Sequence, residues 1–180
     1  MRNNRFKNIL FTSIILLTFF VLLEAATRVH HTFKYGYRGK LKQSVYSGDK
    51  STEQLFNDYL NRKFEAFPYL MYRTKPNQHS KTFNINSLGF RGKEFSIIKP
   101  VNVIRIAFLG GSAAWGTGAS SDQETISGIL ESKLNAGFRG KKFEVINAGD
   151  SGYVSTQEMI TLCNRIMPLD PDIIIIFDGY

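Results

Sequence analysis

The stretch Val103-Ile-Arg-Ile-Ala-Phe-Leu-Gly-Gly-Ser-Ala-Ala-Trp-Gly-Thr-Gly118 decides the fold that the sequence predicts. An apolar run rich in β-branched residues stops at two glycines, and a serine follows at once before further small residues. This order is typical of a parallel strand that ends in a sharp turn, where backbone N–H groups point outward. Ser112 is therefore the candidate nucleophile, because the turn would present its hydroxyl at the carboxyl end of the strand.

Strands and helices alternate along the second half of the chain. Apolar runs predict strands over 101–109, 142–147 and 172–177, and apolar stripes predict helices over 123–136 and 156–167. This order predicts right-handed crossovers and a parallel sheet with helices on both faces, which is a three-layer α/β fold. The third strand holds four consecutive isoleucines, so it is predicted to be buried on both faces.

An apolar segment near the amino terminus follows a basic start. Arg2, Arg5 and Lys7 precede the run 9–23, which carries no charge. This layout is typical of a signal sequence or a signal anchor. Because no A-x-A-like cleavage site follows, we expect a single-pass anchor over 1–27, with the next domain in the periplasm or outside the cell. A buried amphipathic helix is the alternative, but no polar face interrupts the run.

The net charge of +8 lies outside the predicted sheet. Residues 1–94 hold 16 Lys and Arg against 6 Asp and Glu, whereas residues 95–180 hold 7 against 9. The basic excess belongs to the anchor and to a stem over 28–95, so it predicts contact with lipid headgroups and not with nucleic acid. One helix is predicted in the stem, over 51–65, and the α/β domain is assigned to 96–180.

Three predicted strand tips carry the residues suited to chemistry. They read Gly110-Gly-Ser-Ala-Ala-Trp-Gly116, Asn147-Ala-Gly-Asp-Ser-Gly-Tyr-Val-Ser155 and Phe177-Asp-Gly-Tyr180. In an open parallel sheet, ligands bind at the carboxyl ends of the strands, so the three tips should meet at one site. Trp115 could line a substrate pocket there, or it could only pack on the first helix.

Together these tips resemble the motifs of the SGNH hydrolases, also called the GDSL family of esterases and lipases. The resemblance covers about residues 82–180 and implies a flavodoxin-like fold. The first family motif reads Gly-Asp-Ser, and Gly111 replaces its aspartate here. The resemblance implies that Ser112 is the nucleophile and that the backbone N–H groups of Ser112 and Gly152 form the oxyanion hole. The stretch 86–92 is similar to a lead-in of membrane-anchored members.

The resemblance also implies residues that this sequence does not contain. The third family motif, Gly-x-Asn-Asp, would start at Gly179, and the last motif, Asp-x-x-His, which supplies the triad acid and base, is absent. The histidines present, His30, His31 and His79, all precede the predicted sheet. We therefore expect a domain truncated on its C-terminal side, and a 180-residue chain that is nearly inactive.

The activity that the resemblance implies is hydrolysis of an acyl ester through an acyl-enzyme on Ser112. The substrate would be a small acyl ester or an O-acetylated polysaccharide. Two alternatives stay open: an O-acyltransferase acting on a glycan, and a non-catalytic membrane-tethered fragment. The nucleophile-elbow motif G-x-S-x-G is not met because Ala114 replaces its second glycine, and the P-loop and dinucleotide fingerprints also fail.

No cofactor and no metal are expected. Asp150, Asp170, Asp172 and Asp178 lack the spacing of a metal site, and Asp170-Pro-Asp172 is typical of a turn into a strand. Cys163 is the single cysteine, so no internal disulfide can form, and we expect a buried, inert thiol.

Overall fold

The amino-terminal helix and the α/β part of the chain form two separate units. The computed structural model describes residues 2–35 and 50–178. Helix α1 spans Arg2–Tyr35, and its segment Phe11–His30 is long and apolar enough to cross a membrane. Residues 11–30 of this helix are all exposed among the described residues. The predicted apolar segment is thus helical, while residues 36–49 of the predicted stem lie outside the described residues.

The α/β unit contains four α-helices and seven strands among its described residues. In chain order they are α2 (Lys50–Asn61), β1 (Phe64–Phe67), β2 (Met71–Thr74), β3 (Gln78–His79), β4 (Asn84–Ile85), β5 (Val103–Gly110), α3 (Ser112–Trp115), α4 (Ile126–Gly137), β6 (Lys142–Asn147), α5 (Ser155–Thr161) and β7 (Ile173–Phe177). The first of these helices, α2, precedes a hairpin, and the others alternate with the strands of the main sheet. After α5 the chain continues as a π-helical turn, Leu162–Ile166, and a 3₁₀ turn, Met167–Leu169.

The main sheet is parallel and has three strands, with β5 between β6 and β7. Ile106 of β5 pairs with Val145 of β6 on one side and with Ile173 of β7 on the other. From Arg105 to Gly110 the central strand is buried, as its apolar composition predicts. The predicted α/β alternation and parallel sheet are therefore confirmed.

One face of the sheet packs against the segment that follows α5. Ala107 and Leu109 of β5 lie on this face with Ile146 of β6, because alternate residues of a strand point to the same side. They form a buried cluster with Ile166 of the π-helical turn and with Phe90, which precedes β5. This cluster fixes the central strand and therefore its carboxyl end.

A β-hairpin replaces the end of the predicted helix 51–65. Helix α2 ends at Asn61, and β1 pairs antiparallel with β2 so that Phe64 lies opposite Thr74. Tyr69 and Met71 adopt positive φ at the connection, with φ of 64° and 65°. The prediction was wrong over 62–65 because pairing with β2, which the local apolar spacing does not reveal, overrides helix propensity.

Strand β7 differs from the expectation that it is fully buried. Its side chains Ile173, Ile174, Ile176 and Phe177 are between 40% and 59% exposed. Within the described residues β7 pairs with β5 alone, so it is an edge strand. The amino-acid composition shows that the strand is apolar, but it does not show which elements pack on it, so the exposure could not be predicted.

Two helices also differ in detail from the sequence prediction. Helix α4 begins at Ile126 because Thr125 caps it, and the Thr125 hydroxyl accepts a hydrogen bond from Gly128 N at 3.0 Å. The helix predicted over 156–167 keeps α geometry only to Thr161. Cys163 lies in the π-helical turn that follows and is exposed, so the expectation of a buried thiol was wrong. Its outward position on that turn was not evident from helical spacing alone.

Candidate active site

Ser112 lies where the central strand turns into a short helix. Gly110 ends β5, Gly111 is the N-cap, and Ser112 is the first residue of α3. The Ser112 side chain is exposed, and within the described residues its hydroxyl forms no hydrogen bond. The structure therefore presents this hydroxyl to solvent at the carboxyl end of β5, as the sequence predicts.

The tips of β5 and β7 are in direct contact. Gly110 has a φ of 148°, and a Cβ atom built on it would lie 2.3 Å from the carbonyl oxygen of Phe177. A side chain at this position would collide with the backbone at the end of β7, and only glycine adopts such a φ readily. The close approach brings Asp178 near the same end of the sheet as Ser112.

The loop after β6 lies beside the tip of β5. The backbone N–H of Asp150 donates to the carbonyl oxygen of Gly110 at 3.1 Å. Gly152 follows in this loop with a φ of 79°, and it is exposed. Its backbone N–H meets no acceptor within residues 50–178. The structure thus places Gly152 on the loop beside the strand-to-helix turn that carries Ser112, and within the described residues each of the two has an unpaired group.

Asp150 ties the loop after β6 to strand β2. Its buried carboxylate accepts hydrogen bonds from Thr74 N and Thr74 Oγ1, both at 2.9 Å, and from Ser151 N at 2.8 Å. The Arg62 guanidinium lies 3.4 Å away as its ion-pair partner. The sequence singled out Asp150 only as one of four aspartates without metal spacing, whereas the structure uses it as an anchor for the loop.

Tyr72 of the hairpin forms a second tie to the same loop. Its hydroxyl donates to the carbonyl oxygen of Ser151 at 2.7 Å, and the Tyr153 hydroxyl donates to the carbonyl oxygen of Tyr72 at 2.9 Å. Burial raises the pKa of Tyr72, and the Asp150 carboxylate raises it further, so the phenol stays protonated and remains a donor. No motif in the sequence pointed to Tyr72.

Trp115 packs beneath the turn that joins β5 to α3, on its buried side. It is 3% exposed, and its ring contacts those of Tyr59 and Phe83. The guanidinium groups of Arg62 and Arg91 lie 4.0 Å and 4.3 Å from its ring centroid. The packing alternative for Trp115 is therefore the one that the structure favours, and its indole is part of the support of α3.

Arg91 fixes the end of the helix that carries Ser112. Its Nη1 donates to the carbonyl oxygen of Gly116 at 2.8 Å, and its Nε donates to Asp122 Oδ1 at 2.9 Å. The first of these bonds satisfies a carbonyl at the C-terminus of α3, which a four-residue helix cannot pair internally. Arg91 belongs to the lead-in 86–92, so this segment has a structural role at the site.

A carboxyl pair lies at the tip of β7. Glu158 of α5 is buried, its Oε1 has no hydrogen-bond partner within the described residues, and its carboxyl group interacts with that of Asp178, which follows β7. Burial, together with the interaction with Asp178, raises the pKa of Glu158 to about 7. The Glu158 carboxyl group is therefore mostly protonated below neutral pH.

The described residues bring no histidine against Ser112 in the α/β unit. His79 lies in β3, where its Nδ1 is 3.0 Å from Asn84 Oδ1. Residues 2–35 and 50–178 also contain no group of three or more His, Cys, Asp and Glu side chains arranged to hold a metal ion. The arrangement supplies the exposed Ser112 hydroxyl and the unpaired backbone N–H of Gly152. No described residue is assigned as the general base.

No protein-family model matches the chain, and the comparison with curated proteins finds no match. Its function must therefore be inferred from its own residues and geometry.

Proposed function

We propose that the chain is part of a membrane-anchored serine ester hydrolase of the SGNH type. The observation that carries the proposal is the exposed Ser112 hydroxyl at the tip of the central strand, at a turn that adjoins the loop bearing the unpaired Gly152 N–H. A nucleophile beside a free backbone donor is the minimum arrangement for acyl transfer, because the donor stabilises the charge that the attack creates.

The order of the strands supports the same proposal. The sheet runs β6-β5-β7, so the first strand of the parallel sheet lies in the middle and its two successors lie on opposite sides. Flavodoxin-like sheets begin in this 2-1-3 order, and their ligands bind at the carboxyl ends of the strands where the order reverses. Ser112 follows the central strand, β5, which is the position that this rule favours for a ligand.

The proposed reaction proceeds through an acyl-enzyme. The Ser112 Oγ bonds to the ester carbonyl carbon, its proton passes to a base, and the N–H groups of Ser112 and Gly152 donate to the oxyanion. The ester C–O bond then breaks, the alcohol leaves with the proton, and water hydrolyses the acyl-serine. Each oxyanion donor contributes about 3–4 kcal/mol to such steps. The resemblance assigns the base to an Asp-x-x-His motif that residues 1–180 do not contain.

The N-terminal helix suggests where the enzyme acts. We propose that Phe11–His30 anchors the chain in a membrane, with the α/β unit in the periplasm or outside the cell. An acylated polysaccharide at that surface would be a substrate within reach of a tethered active site. The excess of basic residues lies in residues 1–94, where it favours anionic headgroups over nucleic acid.

A serine-directed label tests the nucleophile. The full-length protein treated with a fluorophosphonate should be labelled once, at Ser112, and Ser112→Ala should abolish both the label and ester hydrolysis. Ser120→Ala is the matched control, because Ser120 is also exposed and lies close by in the sequence. Labelling that survives in Ser112→Ala would overturn the proposal. Adding a glycan acceptor then distinguishes hydrolysis from acyl transfer to a sugar hydroxyl.

A further inference from the structure

We propose that Tyr72 is a positioning residue for the oxyanion hole, because its hydroxyl fixes the peptide unit between Ser151 and Gly152. The inference rests on the proposed function and deepens it by assigning a role to the hairpin β1–β2. Tyr72 lies 79 residues from Ser151 in the sequence, yet its hydroxyl contacts the one peptide unit whose N–H is the predicted oxyanion donor.

The geometry of a single peptide unit carries the inference. The carbonyl oxygen of Ser151 and the N–H of Gly152 belong to the same planar group and point in opposite directions when the peptide is trans. Tyr72 Oη donates to that carbonyl oxygen at 2.7 Å. The N–H is therefore turned away from the hairpin, toward the exposed side of Gly152. A hydrogen bond on the carbonyl also polarises the peptide, which makes its N–H a stronger donor.

Packing keeps the Tyr72 hydroxyl in place. Its ring lies 5.5 Å from the ring of Phe64 and 5.7 Å from that of Tyr153, measured between centroids. A Cβ atom built on Gly152 would lie 2.7 Å from Tyr72 Oη. A side chain at position 152 would therefore displace the Tyr72 hydroxyl. Thr74, two residues along the same strand, holds Asp150 and fixes the start of the loop.

Tyr153 offers a matched comparison within the same contact. Its hydroxyl donates to the carbonyl oxygen of Tyr72 at 2.9 Å, so it also joins the hairpin to the loop after β6. This bond does not involve the peptide between Ser151 and Gly152. Removing either hydroxyl takes away one link between the two segments, but only the loss of the Tyr72 hydroxyl frees the oxyanion donor.

The test compares Tyr72→Phe with Tyr153→Phe in the full-length protein, using p-nitrophenyl acetate as substrate. Both variants should lower Tm to a similar extent. We expect Tyr72→Phe to lower kcat by about tenfold with KM nearly unchanged, which is less than the 10²–10³-fold loss on removing an oxyanion donor itself. Tyr153→Phe should leave kcat within about twofold of the wild type, because the donor peptide stays fixed.

The Gly152 amide gives a second readout that does not depend on turnover. Its ¹⁵N resonance should shift further in Tyr72→Phe than in Tyr153→Phe, since the shift reports the hydrogen bond to the preceding carbonyl. If Tyr72→Phe does not fold, difluorotyrosine at position 72 keeps the ring and hydroxyl but lowers the phenol pKa. The fall of kcat at alkaline pH should then begin at a lower pH than in the wild type.

The outcomes separate the two proposals. If Ser112→Ala is inactive while Tyr72→Phe keeps the wild-type kcat and the wild-type Gly152 resonance, the role of Tyr72 is overturned and the hydrolase proposal stands. An unchanged pH profile in the difluorotyrosine protein overturns it in the same way. If Ser112→Ala hydrolyses esters as fast as the wild type, the hydrolase proposal fails and the role of Tyr72 fails with it.

Discussion

Glu158 is the residue at which burial has the clearest consequence for pH. The residue is 4% exposed, and its carboxyl group interacts with that of Asp178 at the tip of β7. Burial removes water from the charged form and the Asp178 charge opposes ionisation further, so the folded chain favours the protonated form. The pKa of Glu158 is about 7 in the folded chain, compared with a reference value of 4.5.

This pKa predicts how stability depends on pH. A raised folded pKa adds stability that is fully present below pH 4.5 and is lost as the pH rises through about 7. In Glu158→Gln the side chain no longer titrates, so the fall in the free energy of unfolding across this window should largely disappear. Urea unfolding at a series of pH values measures it, with Glu124→Gln at an exposed position as the control. Equal slopes in Glu158→Gln and the wild type would contradict the prediction.

At the scale of single residues, the sequence predicted the residues at the carboxyl ends of the strands, but not the distant residues that hold them in place. Ser112 and Gly152 follow the ends of the apolar strands β5 and β6 within a few residues, so local pattern was enough to place them near the carboxyl ends of those strands. Thr74 and Tyr72 contact that loop from 76 and 79 residues away. Such contacts leave no local signal, because a tyrosine or threonine in a short strand has the same composition whether or not it holds a loop.

At the scale of elements, helix α4 closes the free edge of β6. The Asn135 side chain donates to the carbonyl oxygen of Phe143 and accepts from its N–H, both at 2.9 Å, as a neighbouring strand would. Glu131 accepts from Val145 N at 2.8 Å. An open edge with unpaired backbone groups invites pairing with other chains, and these side chains block it.

Removing the amide of Asn135 should therefore destabilise the unit and open the edge. Asn135→Ala leaves the N–H and carbonyl groups of Phe143 to bond with water at this exposed edge, which should cost about 0.5–1.5 kcal/mol of unfolding free energy. Chemical denaturation measures the loss, and light scattering should show more self-association. Lys133→Ala is the control, because Lys133 is an exposed neighbour on the same helix. If the denaturation midpoint of Asn135→Ala equals that of the wild type, the hydrogen bonds of Asn135 contribute nothing to stability.

The elements that could be predicted are those with their own periodicity. The strands β5, β6 and β7 appeared as apolar runs of the right length, and α4 as an apolar stripe. The hairpin β1–β2 did not, because its strands are four residues long and alternate weakly. The exposure of β7 was also missed, since its sequence fixes how apolar it is and its neighbours fix how much is covered.

At the scale of the whole molecule, helix α1 belongs to one compact unit and the α/β part of the chain to another. The apolar run and its basic flanks were enough to predict an apolar segment of about membrane length near the amino terminus. The fold of the α/β unit was predicted only in outline, since the contacts between segments 62–74 and 147–153 join parts of the sequence that share no pattern.

The membrane proposal predicts how the protein fractionates. The full-length protein should sediment with membranes and stay there in high salt and in alkaline carbonate, because a spanning helix holds by its apolar surface. A variant lacking Arg2–Tyr35 should not be retained by the bilayer. Release of the full-length protein by salt alone would show instead that its basic residues bind headgroups electrostatically. A reporter fused after Tyr180 that is active only in the cytoplasm would overturn the exterior placement.

The contact between Tyr72 and Ser151 also bears on the order in which the parts of the candidate site form during folding. The hydrogen bond from Arg91 that fixes the helix carrying Ser112 spans 25 residues, and contacts of shorter sequence separation form earlier. The loop with Gly152 reaches its place only when a segment 79 residues earlier has docked, which is a late, long-range closure. Under the proposed function, a folding chain would thus present the Ser112 hydroxyl before the Gly152 N–H is in place. The proposed activity would then begin with the final folding step, when the hairpin and the loop have met.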